Sequence, residues 1–211
     1  MDRREAVKYI SILMGSAVIG ADAFLSGCKT NNAPSKIADL KPEDIAYLNE
    51  IGETILPRTS TPGAKDAKVG EFMQVMVRDC YEEADQKAFL EGMDKLNEAS
   101  NKKFSKDFMG ITPQQRHDLL VDLDNEAKGY GKKVSDFNNN ESKKEKDETA
   151  KGNKNYVKQH MAPHYFTMMK QLTLLGFFTS EPGMTKAVRY LPVPGRYDGD
   201  VPYKKGDKVI V

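Results

Sequence analysis

Apolar positions recur at helical spacing in five stretches of the chain. Ile45, Leu48, Ile51, Ile55 and Leu56 lie on one face of a 3.6-residue period and predict a first helix. Pro42 suits its first helical position, and Pro57 stops it. Phe72, Met73, Met76, Val77 and Cys80 predict a second helix over 69–81, with those residues facing inward. Phe89, Leu90, Met93 and Leu96 predict a third over 85–98. Thr112-Pro113-Gln114-Gln115 matches a capping box with proline at the first helical position, and opens a fourth helix with Leu119, Leu120 and Leu123 on its apolar face. The fifth, over 163–178, is the most apolar: Tyr165, Phe166, Met168, Met169, Leu172, Leu174, Leu175 and Phe177. The pattern predicts an all-α fold with a bundle-like core and contains no internal repeat.

The stretches between differ in kind. Residues 58–68 form a turn-rich loop centred on Thr61-Pro62-Gly63. Residues 128–158 are rich in Lys, Asn, Glu and Gly, with few apolar residues beyond Val134, Phe137, Tyr156 and Val157. They read as a charged, mobile insertion, with an exposed charged helix as the other reading. After Thr179-Ser180-Glu181-Pro182-Gly183 a short helical stretch is expected over 184–190. The run Leu191-Pro192-Val193-Pro194-Gly195-Arg196-Tyr197 cannot be helical, because its prolines fix φ and remove donors. Residues 179–211 are therefore expected to form an irregular, Pro-rich extended arm on a single helical domain spanning 42–211.

The N-terminus has its own pattern. Arg3, Arg4 and Lys8 precede an apolar run of 13 residues from Tyr9 to Ala21. A spanning helix needs about 20 such residues, so residues 1–27 read as a signal peptide. Arg3-Arg4-Glu5-Ala6-Val7-Lys8 resembles the twin-arginine export pattern, which carries proteins already folded. Leu25-Ser26-Gly27-Cys28 resembles a lipobox, whose cysteine receives the lipid. Polar residues 28–41 then read as a tether from lipidated Cys28. The expected place of the mature chain is the periplasmic side of a bacterial envelope, lipid-anchored to a membrane; an uncleaved N-terminal anchor is the other reading.

Composition changes this picture little. Net charge is +1, so no global basic field points to nucleic acid. With Cys28 lipidated, Cys80 has no intramolecular partner, and it reads as a small apolar residue on a helix face or as a bridge to another subunit. The chain has no dinucleotide or phosphate loop, no CxxC, and no nucleophile elbow. His160 and His164 are four apart, but Pro163 between them argues against a helical ligand pair, and no catalytic, metal or cofactor-binding residue is assigned. Met73, Met76, Met161, Met168 and Met169 sit among Leu and Phe as core fillers. Arg189 and Arg196 flank the Pro-rich arm beside Tyr190 and Tyr197, a composition suited either to a binding hot spot or to an arm that packs on its own chain.

Two blocks carry a family resemblance. Ile55-Leu56-Pro57-Arg58-Thr59-Ser60-Thr61-Pro62-Gly63-Ala64-Lys65 is one. Leu172-Thr173-Leu174-Leu175-Gly176-Phe177-Phe178-Thr179-Ser180-Glu181, followed by Arg189-Tyr190-Leu191-Pro192-Val193-Pro194-Gly195-Arg196-Tyr197, is the other. They resemble, in order and behind a twin-arginine leader, the gluconate 2-dehydrogenase subunit 3 family. The resemblance covers about 40–127 and 160–206. Asp200 stands where many members have cysteine, and Pro182 where a residue such as Ile is common. The resemblance implies a non-catalytic small subunit of a membrane-associated sugar, sugar-acid or polyol dehydrogenase. It implies an FAD-dependent catalytic partner of the glucose–methanol–choline type, whose folding and export the small subunit supports, with a cytochrome c as electron acceptor. The residues expected at the partner interface are Phe177, Phe178, Arg189, Tyr190, Pro192, Pro194, Arg196 and Tyr197. The alternative is a free-standing envelope lipoprotein acting as a binding or scaffold module.

Overall fold

The computed structural model describes residues 40–210 apart from 154, 194, 197, 198 and 203. Arg3, Arg4, the apolar leader and Cys28 lie outside the described residues, as do Pro194 and Tyr197 of the arm. Within the described residues the chain is all-α: α1 Pro42–Ile55, α2 Val69–Cys80, α3 Glu83–Phe104, a 3₁₀ turn Phe108–Gly110, α4 Pro113–Ala150 and α5 Tyr165–Phe178.

The starts of α1 and α4 are built from the predicted signals. Pro42 occupies the first turn of α1, and the Lys41 N–H donates to Asp44 Oδ2 at 3.0 Å. At α4, Thr112 Oγ1 accepts from Gln115 N–H at 3.3 Å, while Gln115 Oε1 accepts from Thr112 N–H at 3.0 Å. Helix α3 runs six residues beyond the predicted Glu98, because its polar residues satisfy the turn that follows. Ser100, fully buried, donates to Lys106 O at 2.7 Å, and Asn97 Oδ1 accepts from Phe108 N–H at 3.2 Å.

Helix α5 packs against α1, α2, α3 and α4. It buries Phe166, Met168, Met169, Leu172, Thr173, Gly176 and Phe177. The buried apolar residues of all five helices form one contiguous cluster with Phe108 and Ile111. Tyr47 meets Phe108 edge-on, with ring centroids 5.6 Å apart, and its hydroxyl donates to Met93 O at 3.2 Å. Burial pushes the Tyr47 phenol far above its ordinary range. Helix α3 meets α5 closely at Gly92, where an added Cβ would lie 2.2 Å from Tyr165 Cβ.

Helix α5 starts at Tyr165 rather than Pro163 because His164 is its cap: Nδ1 accepts from Phe166 N–H at 3.3 Å. The ring is 8% exposed, stacked 4.3 Å from Tyr165, with Nε2 3.7 Å from Glu126. Burial lowers its pKa below the ordinary 6.5, and Glu126 opposes that shift.

One expectation is resolved and two need correction. Of the two readings of 128–158, the charged helix is the one found over 128–150, which is the outer half of α4, a single helix of 38 residues, about 57 Å long at 1.5 Å per residue. The chain then returns along it through 155–164, a strap without regular secondary structure. The expected helix over 184–190 is a single π turn, Gly183–Ala187. Cys80, expected to face inward, is exposed, with Sγ 4.0 Å from Met76 Sδ.

Two predictions follow from this packing. Gly92→Ala should destabilise the protein by about 1–3 kcal/mol, the usual effect of overpacking a tight core contact, seen as a lower urea midpoint. His164 contributes stability that is complete above pH 6.5 and is lost as pH falls through its depressed folded pKa. The melting temperature should therefore drop between pH 7 and 5, and His164→Asn, which can cap without titrating, should flatten that drop.

Candidate partner interface

The loop after α1 is shaped by two carboxylates. Pro57 ends the helix, and Glu53 reaches over the turn to accept from Arg58 N–H at 2.8 Å and from Lys65 N–H at 2.9 Å. One side chain thus ties both ends of the loop. Asp66 Oδ2 accepts from Gly63 N–H and Arg58 Nε, each at 2.9 Å, and its other oxygen pairs with Arg58 Nη2. Gly63 leaves room for the Glu53 carboxylate, which an added Cβ would approach to 2.5 Å. Ala64 pins the loop to the core, fully buried, with its N–H donating to Leu56 O at 2.9 Å. Behind it, Glu50 pairs with Lys65 and with Arg116, whose remaining donors reach Phe108 O at 3.0 Å and Met109 O at 2.8 Å.

The opposite wall is the end of α5. Ser180 Oγ donates to Phe177 O at 2.6 Å and accepts from Gly183 N–H at 3.2 Å, which folds the chain back over the helix terminus. Only glycine fits at 183, since a Cβ there would lie 1.9 Å from Phe177 O. Val188 is buried, and the arm is then held at its root. Arg189 N–H donates to Val209 O at 2.8 Å, Arg189 and Ile210 form a parallel bridge, and Lys208 Nζ donates to Lys186 O at 2.5 Å.

These two walls enclose an open cleft of about 560 Å³, lined by Arg58, Thr59, Ser60, Thr61, Pro62, Asp66, Glu181, Pro182 and Lys186. The two sequence blocks singled out above therefore meet in space, although more than a hundred residues separate them. Arg58, Asp66, Glu181 and Lys186 were not among the expected interface residues. Arg58 and Glu181 belong to the motif blocks, and Asp66 and Lys186 lie just outside them, but the contact between the two stretches is tertiary.

Of the expected residues, Phe178 and Tyr190 are on the surface at 43% and 52% exposure. Arg189, Pro192 and Arg196 are exposed too. Phe177 is a correction: it is 3% exposed and belongs to the core, its ring 5.0 Å from that of Phe178. One step along a helix is a rotation of about 100°, enough to turn one phenylalanine in and its neighbour out. Leu174, Leu175 and Phe178 form an exposed apolar stripe on α5, and Leu191 and Val193 continue the exposed apolar character into the arm.

The histidines converge on nothing shared. His117 is exposed, 3.5 Å from Asp118 Oδ1. His160 Nε2 lies 2.9 Å from Asp85 Oδ1, whereas His164 faces Glu126 and caps α5. No group of three or more metal-binding side chains exists among the described residues.

The family model for gluconate 2-dehydrogenase subunit 3 matches residues 42–195. No curated protein and no solved structure matches the chain. The family match runs through 128–158, which the resemblance had left out, and ends within the arm. The chain belongs to the gluconate 2-dehydrogenase subunit 3 family.

Glu53→Ala should leave the amides of Arg58 and Lys65 without their acceptor, at a cost of about 2 kcal/mol for bonds to a charged group. Amide exchange over 57–66 should rise about tenfold or more while α5 keeps its protection.

Proposed function

We propose that this member of the family is a non-catalytic small subunit that docks an FAD-dependent catalytic subunit through the cleft and the adjoining arm. The observation that carries the reading is the convergence of two distant sequence stretches on one cleft, between the exposed Phe178 and the root of an arm that exposes Tyr190, Leu191 and Val193 in sequence. Exposed aromatic and arginine side chains next to a rigid polar cleft are the anchors from which tight interfaces are made. A loop held by Glu53 and Asp66 is already in its bound shape, so little ordering entropy is lost on docking. The flavin, the sugar or sugar-acid pocket and the hydride transfer belong to the partner, which passes electrons on to a cytochrome c. Folding on the small subunit and crossing the membrane with it by the twin-arginine route would couple the partner's assembly to its export. A diacylglyceryl group on Cys28 would then hold the pair at the periplasmic side of a membrane, since two acyl chains anchor stably where one does not.

The test is affinity capture of the native protein in mild detergent, with mass spectrometry and an absorbance scan of the eluate. A stoichiometric partner carrying flavin absorbance is expected. Deleting 191–203 should remove it, and Tyr190→Ala should lower its recovery about tenfold or more, as for a hot-spot aromatic. A monomer without flavin, from cells that express a candidate partner, would contradict the proposal in favour of a free-standing binding module.

A further inference from the structure

The outer half of α4 has the wrong composition to hold a helix by itself. Gly129, Gly131 and the run Asn138-Asn139-Asn140 are poor helix formers, and most other positions from 128 to 150 are polar. A helix polar on nearly all sides buries little against a core. Beyond Ala127, the one buried residue of α4 among those described is a carboxylate, Glu141, at 3% exposure. Tyr130, Val134 and Phe137 are half-buried on the same face.

That face is where the strap 155–164 returns, antiparallel to the helix. His164 meets Tyr130 edge-on with centroids 5.6 Å apart, Met161 N–H donates to Asn138 Oδ1 at 3.3 Å, and Lys158 lies 3.6 Å from Glu145. Glu141 is the densest point. Its Oε2 accepts from the Tyr156 hydroxyl at 2.8 Å and from Gln159 N–H at 3.2 Å, and its Oε1 accepts from Lys144 Nζ at 2.7 Å. The carboxyl is held below its ordinary range, first by Lys144 and then by Tyr156. The strap's own backbone makes no helix or strand, and Tyr156 and Gln159 both donate to this one acceptor. Near its end the strap is tied to α3 by His160 and Asp85.

We propose that the outer half of α4 and the strap form one cooperative unit, latched by the Glu141 carboxylate, that opens and closes independently of the five-helix core. When the latch is made, the strap covers Tyr130, Val134 and Phe137 and supplies the packing that the helix lacks. When it opens, both segments lose order together and that apolar face is uncovered. The two states differ by a few side-chain contacts, the condition for a segment drawn from the low end of a protein's local stability range.

Hydrogen exchange on the whole mature chain tests this, comparing wild type with Glu141→Ala and Lys144→Ala. Alanine is the better helix former, so any loss of helix protection in Glu141→Ala comes from the lost latch rather than from propensity. Expected is exchange faster by about tenfold or more over 132–150 and 155–161 in step, with α1, α2 and α5 unchanged. Lys144→Ala, which leaves both strap donors paired, should have a smaller effect on the same two segments. The proposal is overturned if the strap accelerates while 132–150 stays protected, if the acceleration spreads to α1, α2 or α5, or if neither segment changes.

Discussion

Seven of the fourteen residues of helix α5 are buried, from Phe166 to Phe177, and water must be kept from that face along the whole helix. Four other helices do this, and their arrangement follows from the need. Leu48 and Ile51 of α1, Met73 and Val77 of α2, Phe89 and Leu96 of α3, and Leu119 and Leu123 of α4 all contribute to the cluster into which α5 inserts. Burying one such side chain is worth roughly 1.5–3 kcal/mol, so the ring of contacts dominates any single polar bond. Close approach is part of the same constraint: α3 meets α5 at Gly92 because no side chain fits between Gly92 and Tyr165. Once α5 is fixed, its C-terminal end is fixed, and with it the root of the arm.

The candidate face inherits its rigidity from this core. The loop 57–66 hangs from α1 by Ala64 and is tied off by Glu53 and Asp66, while Gly183 presses the arm's first turn onto Phe177 O. Every buried side-chain nitrogen or oxygen among the described residues has a hydrogen-bond partner. Exposed apolar surface is concentrated instead at the end of α5 and along the arm, where Phe178, Tyr190 and Val193 stand in solvent. A subunit that must offer apolar surface to a partner, without unfolding to do so, needs this separation between a satisfied interior and an unsatisfied edge.

Much of the fold was legible in the sequence because helical periodicity and caps are local. The start of α1 at Pro42 and the capping box at Thr112 needed nothing beyond a few neighbouring residues. What escaped was set by distant contacts. The end of α3 depends on Asn97 and Ser100 bonding the following turn, and polar residues there look like a helix stop. The outer half of α4 could be read two ways because its partner is a strap whose donors lie well downstream. Cys80 faces out although it repeats the spacing of buried Met73 and Val77, since it sits at the last turn where α2 leaves the cluster. The candidate face was half visible: both sequence blocks stood out, but nothing local says that Arg58 and Glu181 line the same cleft.

On the proposed function this face, and not the charged outer half of α4, meets the catalytic partner. Lysine-directed cross-linking of the assembled complex, read by mass spectrometry, tests it most directly. Links from Lys186, Lys204 and Lys205 to the partner are the result the account predicts. Links concentrated at Lys132, Lys133, Lys143 and Lys146, with none from the arm, would contradict it.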